Sequence, residues 1–181
     1  KESISKVENE NYEIKDGETF KDILNFAESG FKEIETSKKV LELFKSLGQK
    51  KIDTEIALTG LKTTLDTGRE GPNIAVIGEL DGLPVPGHPY ENKENGYAHA
   101  CGHHAQIGSI FTVFMGLSNK KILNNLCGKI TFMAVPAEEF VEIEWRNKLR
   151  ENGHIEFLAG KQEMIKDGHF DDIDMAMMTH T

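Results

Sequence analysis

The stretch Asn73–Leu80 (NIAVIGEL) decides the fold, because it is a continuous apolar run of strand-forming residues. Two similar runs follow it, Lys129–Val135 (KITFMAV) and Ile173–Met178 (IDMAMM). Runs of this kind are typical of strands in parallel sheets, where both faces are covered. Helical patterns over His103–Leu117 and Phe157–Lys166 separate the three runs. The alternation predicts an α/β fold, with a largely parallel sheet, right-handed crossovers and flanking helices.

The residues before the first of these strands predict two helices and a hairpin. Apolar residues recur at helical spacing in Thr19–Glu28 and Glu35–Leu47. Two short β-type runs, Ile52–Leu58 and Leu61–Leu65, are joined by Thr59-Gly60 and predict a short N-terminal hairpin.

The C-terminal third is less regular. The segment 140–156 contains a charged, helix-like stretch from Glu142 to Arg150, which we interpret as a surface insertion. The methionines from Met164 to Met178 are interpreted as core residues rather than as a binding surface.

The composition limits the classes of function. The chain has 181 residues, 38% of them hydrophobic, which suits one domain with a sizeable core. Thirty acidic against 21 basic residues give a net charge of -9, which argues against nucleic acid or anionic membrane as a partner. Residues 1–17 are polar and lack the apolar stretch of a signal peptide. Two cysteines are too few for a disulfide scaffold, so we expect a cytoplasmic protein.

Side chains that can bind a metal collect where the predicted strands end. In open parallel sheets, ligands bind beyond the carboxyl ends of the strands. Each of the three strands leads into such residues, and the start of the predicted helix after the first strand adds two more. The residues at the strand ends are Asp81, Glu138, Glu139 and His180, and those at the helix start are Cys101 and His103. We expect these four segments to meet on one rim of the sheet.

The residue types on this rim suit a transition metal. Thiolate, imidazole and carboxylate ligands together favour zinc or a neighbouring first-row ion, whereas magnesium and calcium prefer oxygen. The adjacent Glu138 and Glu139 suit two tasks, because one can bind metal while the other acts as general base. Asp81 is placed to hold a ligand histidine in the required tautomer.

Each motif also has an ordinary structural interpretation. Cys101 can be a buried small residue, and Glu138-Glu139 can be a solvated helix start. His180 alone is typical of a surface, and Asp81-Gly82 alone is typical of a turn. Only their joint position at the strand ends favours a functional site.

Four ordered motifs resemble a known enzyme family. They are GELDGLP (Gly78–Pro84), HACGHH (His99–His104), VPAEE (Val135–Glu139) and MTH (Met178–His180). The order is similar to that of metallo-aminoacylases and carboxypeptidase G-like amidohydrolases, in the subfamily of indole-acetyl-amino-acid and aminobenzoyl-glutamate hydrolases. Two further segments resemble that subfamily's first helix and hairpin, so the similarity covers most of residues 20–181: GFKEIETSKKV (Gly30–Val40) and TGLKTTL (Thr59–Leu65).

The resemblance implies a centre with two divalent metal ions, zinc or manganese. By it, Cys101 bridges the two ions, Glu138 is the general base and acid, and Asp81 orients a ligand. The implied terminal metal ligands are His103, Glu139 and His180. Two departures bear on substrate preference: His104 stands where the family often has Asp, and Gln106 where many members have His.

The resemblance also implies a longer parent enzyme. By this comparison, residues 1–181 are the N-terminal part of the catalytic domain. A lid or dimerisation domain and a C-terminal catalytic segment with one more ligand histidine are absent. We therefore expect the 181-residue chain to be a poor catalyst by itself, and the parent enzyme to be a homodimer or larger assembly.

The leading hypothesis is a metal-dependent hydrolase that cleaves an amide bond next to an amino-acid carboxylate. Its substrate would be an N-acyl amino acid, an aryl-glutamate or a dipeptide, with Glu138 taking a proton from the attacking water. One alternative is a non-catalytic protein that binds a ligand or partner on the same scaffold. Another is a structural site with a single metal ion. Turnover by the parent enzyme separates the first two, and metal stoichiometry separates the third.

Overall fold

The computed structural model describes residues 18–180. The polar residues 1–17 lie outside the described part. The helices are α1 (Glu18–Asn25), α2 (Ile34–Ser46), α3 (His103–Ser118), α4 (Lys120–Leu123), α5 (Ile143–Glu151) and α6 (Gly160–Lys166). The strands are β1 (Ile52–Ile56), β2 (Gly60–Asp66), β3 (Asn73–Glu79), β4 (Leu83–Pro84), β5 (Tyr97–Ala98), β6 (Lys129–Val135) and β7 (Met175–Met178). Within residues 18–180, every helix is too short or too polar to cross a membrane.

Five strands form one mixed sheet in the order β1-β2-β6-β3-β7. Strand β3 pairs in parallel with β6 on one side and with β7 on the other. The predicted parallel arrangement of these three strands is therefore confirmed. The predicted hairpin also forms, as antiparallel β1 and β2, and β2 joins the sheet antiparallel to β6. The fold is thus a mixed sheet with a parallel core.

Helices cover both faces of the sheet, and the strand residues alternate between two cores. Val76 and Phe132 face the core formed with α1, α2 and α3. Ile77 and Met133 face the opposite core, which includes residues of α5 and α6. The continuous apolar runs of β3 and β6 follow from this double coverage, because nearly all residues of these strands are buried on one face or the other.

Helix α6 begins at Gly160, three residues later than predicted. The backbone N–H groups of Glu156 and Phe157 donate instead to the carboxylate of Glu163, which is 3% exposed. This side-chain acceptor holds the preceding residues in a turn and delays the start of the helix.

The segment predicted as a surface insertion contributes to the core. Its helix α5 carries Arg146, which is 0% exposed and donates through Nη1 to the carbonyl oxygen of Leu158 at 2.9 Å. Its guanidinium carbon also lies 5.4 Å from the ring centroid of Phe31.

The methionines divide between core and surface. Met164 is fully buried, as predicted. Met175, Met177 and Met178 are 53%, 58% and 41% exposed, so the prediction that they belong to the core is wrong. The reason is that β7 is an edge strand of the sheet and its residues meet no covering layer among the described residues.

Candidate metal centre

The parallel register brings the ends of three strands to one rim. Glu79 at the end of β3 pairs with Val135 at the end of β6. Ile77 of β3 pairs with Met178, the last residue of β7. Glu138 and Glu139 therefore follow β6 at the same edge where His180 follows β7, and α3 begins beside them with His103.

His103 lies at the centre of this rim and is completely buried. Its Nδ1 lies 2.8 Å from the carbonyl oxygen of Asp81 and 3.3 Å from Oδ1 of the same residue. Both neighbours are acceptors, so Nδ1 carries the proton and donates. Nε2 is directed to the acidic side, 3.8 Å from Glu138 Oε2 and 3.9 Å from Glu139 Oε1. This is the tautomer that presents Nε2 to a metal.

Cys101 and His180 form the second part of the rim. The Sγ atom of Cys101 lies 3.4 Å from Nε2 of His180. One ligand atom from each of Cys101, His103 and His180 fits within a group in which all distances are at most 4.8 Å. Donors that share a metal ion at about 2.0–2.3 Å lie at this kind of separation.

Asp81 contacts both His103 and the backbone of Glu139, and so connects these two parts of the site. It is 0% exposed, and its Oδ2 accepts a hydrogen bond of 2.9 Å from the backbone N–H of Glu139. Since its carbonyl oxygen holds His103, one residue fixes both the imidazole ring and the backbone of the glutamate pair. This geometry is what an orienting role for Asp81 requires, although that role stays a prediction.

The two glutamates are presented by a strained turn. Ala137 has a φ of 52°, a left-handed conformation that is uncommon for a residue other than glycine. The carboxylate of the buried Glu33 accepts the N–H of Ala137 at 2.8 Å, and the N–H of Gly160 donates to its carbonyl oxygen at 3.3 Å. Both polar groups of Ala137 are thus paired, which stabilises the turn.

The acidic surroundings control the pKa values of the site. Burial raises the pKa of the Cys101 thiol, and the charge and hydrogen bonding of Glu139 raise it further, to about 12. Burial opposes a charged His103, but hydrogen bonds with Asp81 and Glu79 outweigh it and raise the pKa of that imidazole to about 10. A divalent cation would reverse the first effect, because it stabilises a coordinating thiolate.

The residues fit a transition metal on two observations. The donors fall into two groups of three that share His103, one completed by a thiol and a second imidazole and the other by two carboxylates; thiolate, imidazole and carboxylate are the ligand types that zinc and its neighbours accept. In addition, Oε1 of Glu139 is shielded from solvent and accepts no hydrogen bond from the described residues, while it lies 3.9 Å from His103 Nε2. A buried carboxylate oxygen without a donor is costly unless a cation is close.

Glu138 differs from Glu139 in its access to solvent. Its side chain is 36% exposed, against 18% for Glu139. Burial and the neighbouring charges of Glu79 and Glu139 raise the pKa of Glu138 above its ordinary value. A carboxylate that is accessible and has a raised pKa is suited to proton transfer near neutral pH.

Three buried charged residues of the site escaped the sequence reasoning. Glu33 and Glu79 are 0% and 1% exposed, and Arg146 is 0% exposed. Glu79 carried a usable signal, because it is a carboxylate that ends the apolar run Ile74–Gly78 of the strand that leads to the rim. Glu33 and Arg146 lie in charged segments, where no pattern marks one residue as buried.

The Glu33 carboxyl makes stability depend on pH. Burial, together with the charge of Asp81, raises its pKa from 4.5 to about 8. The native state therefore holds a proton that the unfolded state releases, and the stabilisation that is present below pH 4.5 is lost as the pH rises to about 8. We expect Glu33→Gln to remove this loss, and to be more stable than the unaltered protein at pH 8 by on the order of a few kcal/mol.

Urea denaturation at pH 5 and pH 8, in the presence of a chelator, measures this difference. Gln preserves the shape of Glu33 and can still accept from Ala137. Glu35→Gln is the matched control, because Glu35 is an exposed carboxylate only two residues away. Equal pH dependence in Glu33→Gln and the unaltered protein would contradict the expectation.

Comparison with known proteins extends this description. Residues 75–180 match the model of peptidase family M20/M25/M40. The N-acetylcysteine deacetylase of Bacillus subtilis (strain 168) is 30% identical over 122 residues, which make up 66% of this chain and 32% of the relative. The N-acetyldiaminopimelate deacetylase of Brevibacillus brevis is 29% identical over 122 residues, covering 66% of this chain and 31% of the relative. The chain spans about a third of the length of these relatives.

A solved structure has the same architecture. The Bacillus subtilis YXEP protein, a dinuclear metal binding peptidase from the M20 family, is similar with a TM-score of 0.68 and 25% sequence identity. The similarity covers 89% of this chain and 41% of that protein.

Proposed function

The chain belongs to peptidase family M20/M25/M40, and on that premise we propose that it is the metal-binding part of a hydrolase that cleaves an amide bond next to an amino-acid carboxylate. Residues 1–181 would form the N-terminal part of the catalytic domain of the parent enzyme. Two divalent ions, zinc or manganese, would be held by Cys101, His103, Glu139 and His180.

One observation carries the proposal. The buried His103 ring is fixed through Nδ1 by Asp81, so that Nε2 faces the glutamate pair and lies in one donor group with Cys101 and His180. A protein without catalytic or metal-binding function has no need of a buried histidine whose second nitrogen faces a shielded carboxylate oxygen that has no donor. The alternative, a non-catalytic binding protein, has no observation of its own in its favour.

The chemistry divides between the ions and the protein. Bound divalent ions would activate water and stabilise the negative charge on the carbonyl oxygen. Glu138 would accept the proton of the attacking water on its exposed carboxylate and pass it to the leaving amine. Asp81 would keep the Nδ1 proton on His103 and hold Glu139 through its backbone N–H. His180 and Cys101 would bind the metal ions together with His103 and Glu139.

The relatives suggest the substrate class. Two of them are named as deacetylases of N-acetylcysteine and N-acetyldiaminopimelate, in which an acetyl group is attached to the nitrogen of an amino acid. We propose an N-acyl amino acid as the substrate of the parent enzyme, with the aryl-glutamates and dipeptides of the wider family as the next candidates. The net charge of -9 is consistent with a small-molecule substrate rather than a polyanion.

The test combines metal content with turnover. The parent enzyme is loaded with Zn²⁺ or Mn²⁺, the metal per chain is measured, and release of free amine is followed with N-acetyl amino acids, aryl-glutamates and dipeptides. We expect two ions per chain and hydrolysis that a chelator abolishes. Tight binding of these compounds by the metal-loaded protein without any turnover would instead support the non-catalytic alternative, and a single ion would support a structural site.

A further inference from the structure

Glu79 is a buried carboxylate that the proposed chemistry does not yet use. It is the last residue of the central strand β3, and its side chain is 1% exposed. The other residues of β3 that face the cores are apolar. Burying a carboxylate at such a position costs free energy unless cations or donors compensate it. The groups that contact each of its two oxygens therefore indicate its purpose.

The Oε2 atom of Glu79 faces Nε2 of His103, the ring nitrogen that is also directed to Glu138 and Glu139. It lies 3.0 Å from His103 Nε2. One ligand atom each from Glu79, His103 and Glu138 forms a second group in which all distances are at most 4.8 Å. Donors that bind one ion at about 2.0–2.2 Å lie about 3–4 Å apart, so the pair Glu79 and His103 has the spacing of two ligands.

The tautomer of His103 makes this contact informative. Because Nδ1 donates to Asp81, the neutral ring presents a lone pair at Nε2. A lone pair and a carboxylate oxygen 3.0 Å apart are both acceptors, and a cation between them is what makes the contact favourable. A metal ion and a proton are the two cations that fit there.

The remaining contacts fix the carboxylate in the orientation of a ligand. Lys161 forms an ion pair with Oε1. The side-chain amide of Gln106 donates to Oε2 at 3.0 Å, and its oxygen accepts the backbone N–H of Glu79 at 2.9 Å. Carboxylates that bind metal are themselves held by hydrogen bonds in this way. The positive charge of Lys161 also offsets the negative charge of Glu79, which lies beside the two further carboxylates Glu138 and Glu139.

We propose that Glu79 is a further metal ligand of this centre, binding through Oε2 beside His103 Nε2, while Lys161 neutralises Oε1. The inference rests on the proposed metal centre and adds an oxygen donor from β3 to it. A carboxylate oxygen is a harder donor than the Cys101 sulfur. The site should therefore accept Mn²⁺ better with Glu79 than without it.

The competing explanation is that Glu79 is only a structural ion-pair partner of Lys161 and of a protonated His103. Two substitutions separate the explanations, Glu79→Gln and Lys161→Met. Zn²⁺ and Mn²⁺ binding to the 181-residue chain is measured by calorimetry and by metal content after dialysis. Co²⁺ absorption spectra report the ligand set directly. Lys161 is the matched control, because it belongs to the same ion pair and has a side chain that is 32% exposed.

A ligand role predicts opposite results for the two variants. Glu79→Gln should lower metal affinity by at least about tenfold, with the larger loss for Mn²⁺, and should change the Co²⁺ spectrum. Lys161→Met should bind metal at least as tightly as the unaltered chain, because it removes a positive charge next to the ions. If Glu79→Gln is poorly folded, the double variant Glu79→Gln/Lys161→Met removes both charges together and should bind metal at least about tenfold more weakly than Lys161→Met.

Two results would overturn the inference. One is metal affinity in Glu79→Gln equal to that of the unaltered chain. The other is weaker binding with an unchanged Co²⁺ spectrum, which would mean that Glu79 acts only through its charge. Failure of the unaltered chain to bind any metal would overturn the role of Glu79 together with the metal centre of this chain, whereas the proposed function is judged separately, from the metal content and turnover of the parent enzyme.

Discussion

Glu138→Gln is expected to abolish turnover of the parent enzyme while the metal content stays close to that of the unaltered protein. Glu138 is the more exposed of the two glutamates, and burial and neighbouring charges raise its pKa. Gln keeps its size but cannot accept a proton, so we expect a loss of about 10²–10⁴-fold in kcat. The measurement is steady-state hydrolysis of an N-acetyl amino acid, together with metal analysis of the same preparation.

Glu139→Gln is the paired control, and its expected result differs in kind. The Glu139 carboxylate is less exposed, carries a shielded oxygen without a donor, and has its backbone held by Asp81. Changing a residue that contacts a metal ligand, but not the metal itself, lowers metal affinity by about 10–100-fold. Removing the charge of Glu139, a proposed ligand, should lower it by more, and activity should fall as well. Equal metal loss in both variants would refute the division of tasks, although not the metal centre.

Gly160→Ala is expected to destabilise the fold. A Cβ atom at Gly160 would overlap the carbonyl oxygen of Pro136 and lie 2.9 Å from its carbonyl carbon. These atoms belong to the backbone just before the glutamate pair, and the turn is held by Glu33 and by Gly160 itself. We therefore expect a loss of about 1–3 kcal/mol in the free energy of unfolding, measured by thermal and urea denaturation.

Gly160→Ala should also disturb the positions of the two site glutamates. Relief of the overlap requires Pro136 and Ala137 to move, and Glu138 and Glu139 follow directly. Metal affinity should thus fall along with stability. Gly116→Ala is the control, because Gly116 lies in α3 with no atom within 4 Å of its added Cβ. Alanine there should be neutral or stabilising by up to about 1 kcal/mol. A Gly160→Ala protein as stable as Gly116→Ala would show that the turn is less rigid than its contacts indicate.

Much of the fold was predictable because it depends on patterns that repeat along the chain. The apolar runs of β3 and β6 are typical of strands buried on both faces, and the helices between the strands favour parallel pairing. The family resemblance drawn from four motifs is confirmed by the match over residues 75–180. The position of the hairpin beside β6 was not predictable, since it depends on which strand edge is free after the parallel core has formed.

The charged residues mark where prediction from sequence fails. Arg146 lies in a stretch whose composition is typical of a surface, and only its contacts with Leu158 and Phe31 reveal its burial. Glu33 likewise becomes a support of the glutamate turn through a contact 104 residues away along the chain. Such burial depends on tertiary neighbours, whereas the shared rim of Glu139 and His180 follows from the parallel pairing of β3 with β6 and β7. The roles of the six predicted site residues remain predictions, and the variants above test two of them, Glu138 and Glu139.

Among the described residues β7 is an edge strand, and we expect this to make the metal centre depend on the conformation of that strand. Among the described strands only β3 pairs with it, all four of its residues are exposed, and His180 follows two residues after its end. Strands with so little buried surface open locally at small cost in free energy. Any ion that needs His180 binds only while β7 is docked, so its apparent affinity is lowered by the fraction of time that the strand is open. A segment that pairs with the free edge of β7 would therefore tighten metal binding without ever contacting the metal.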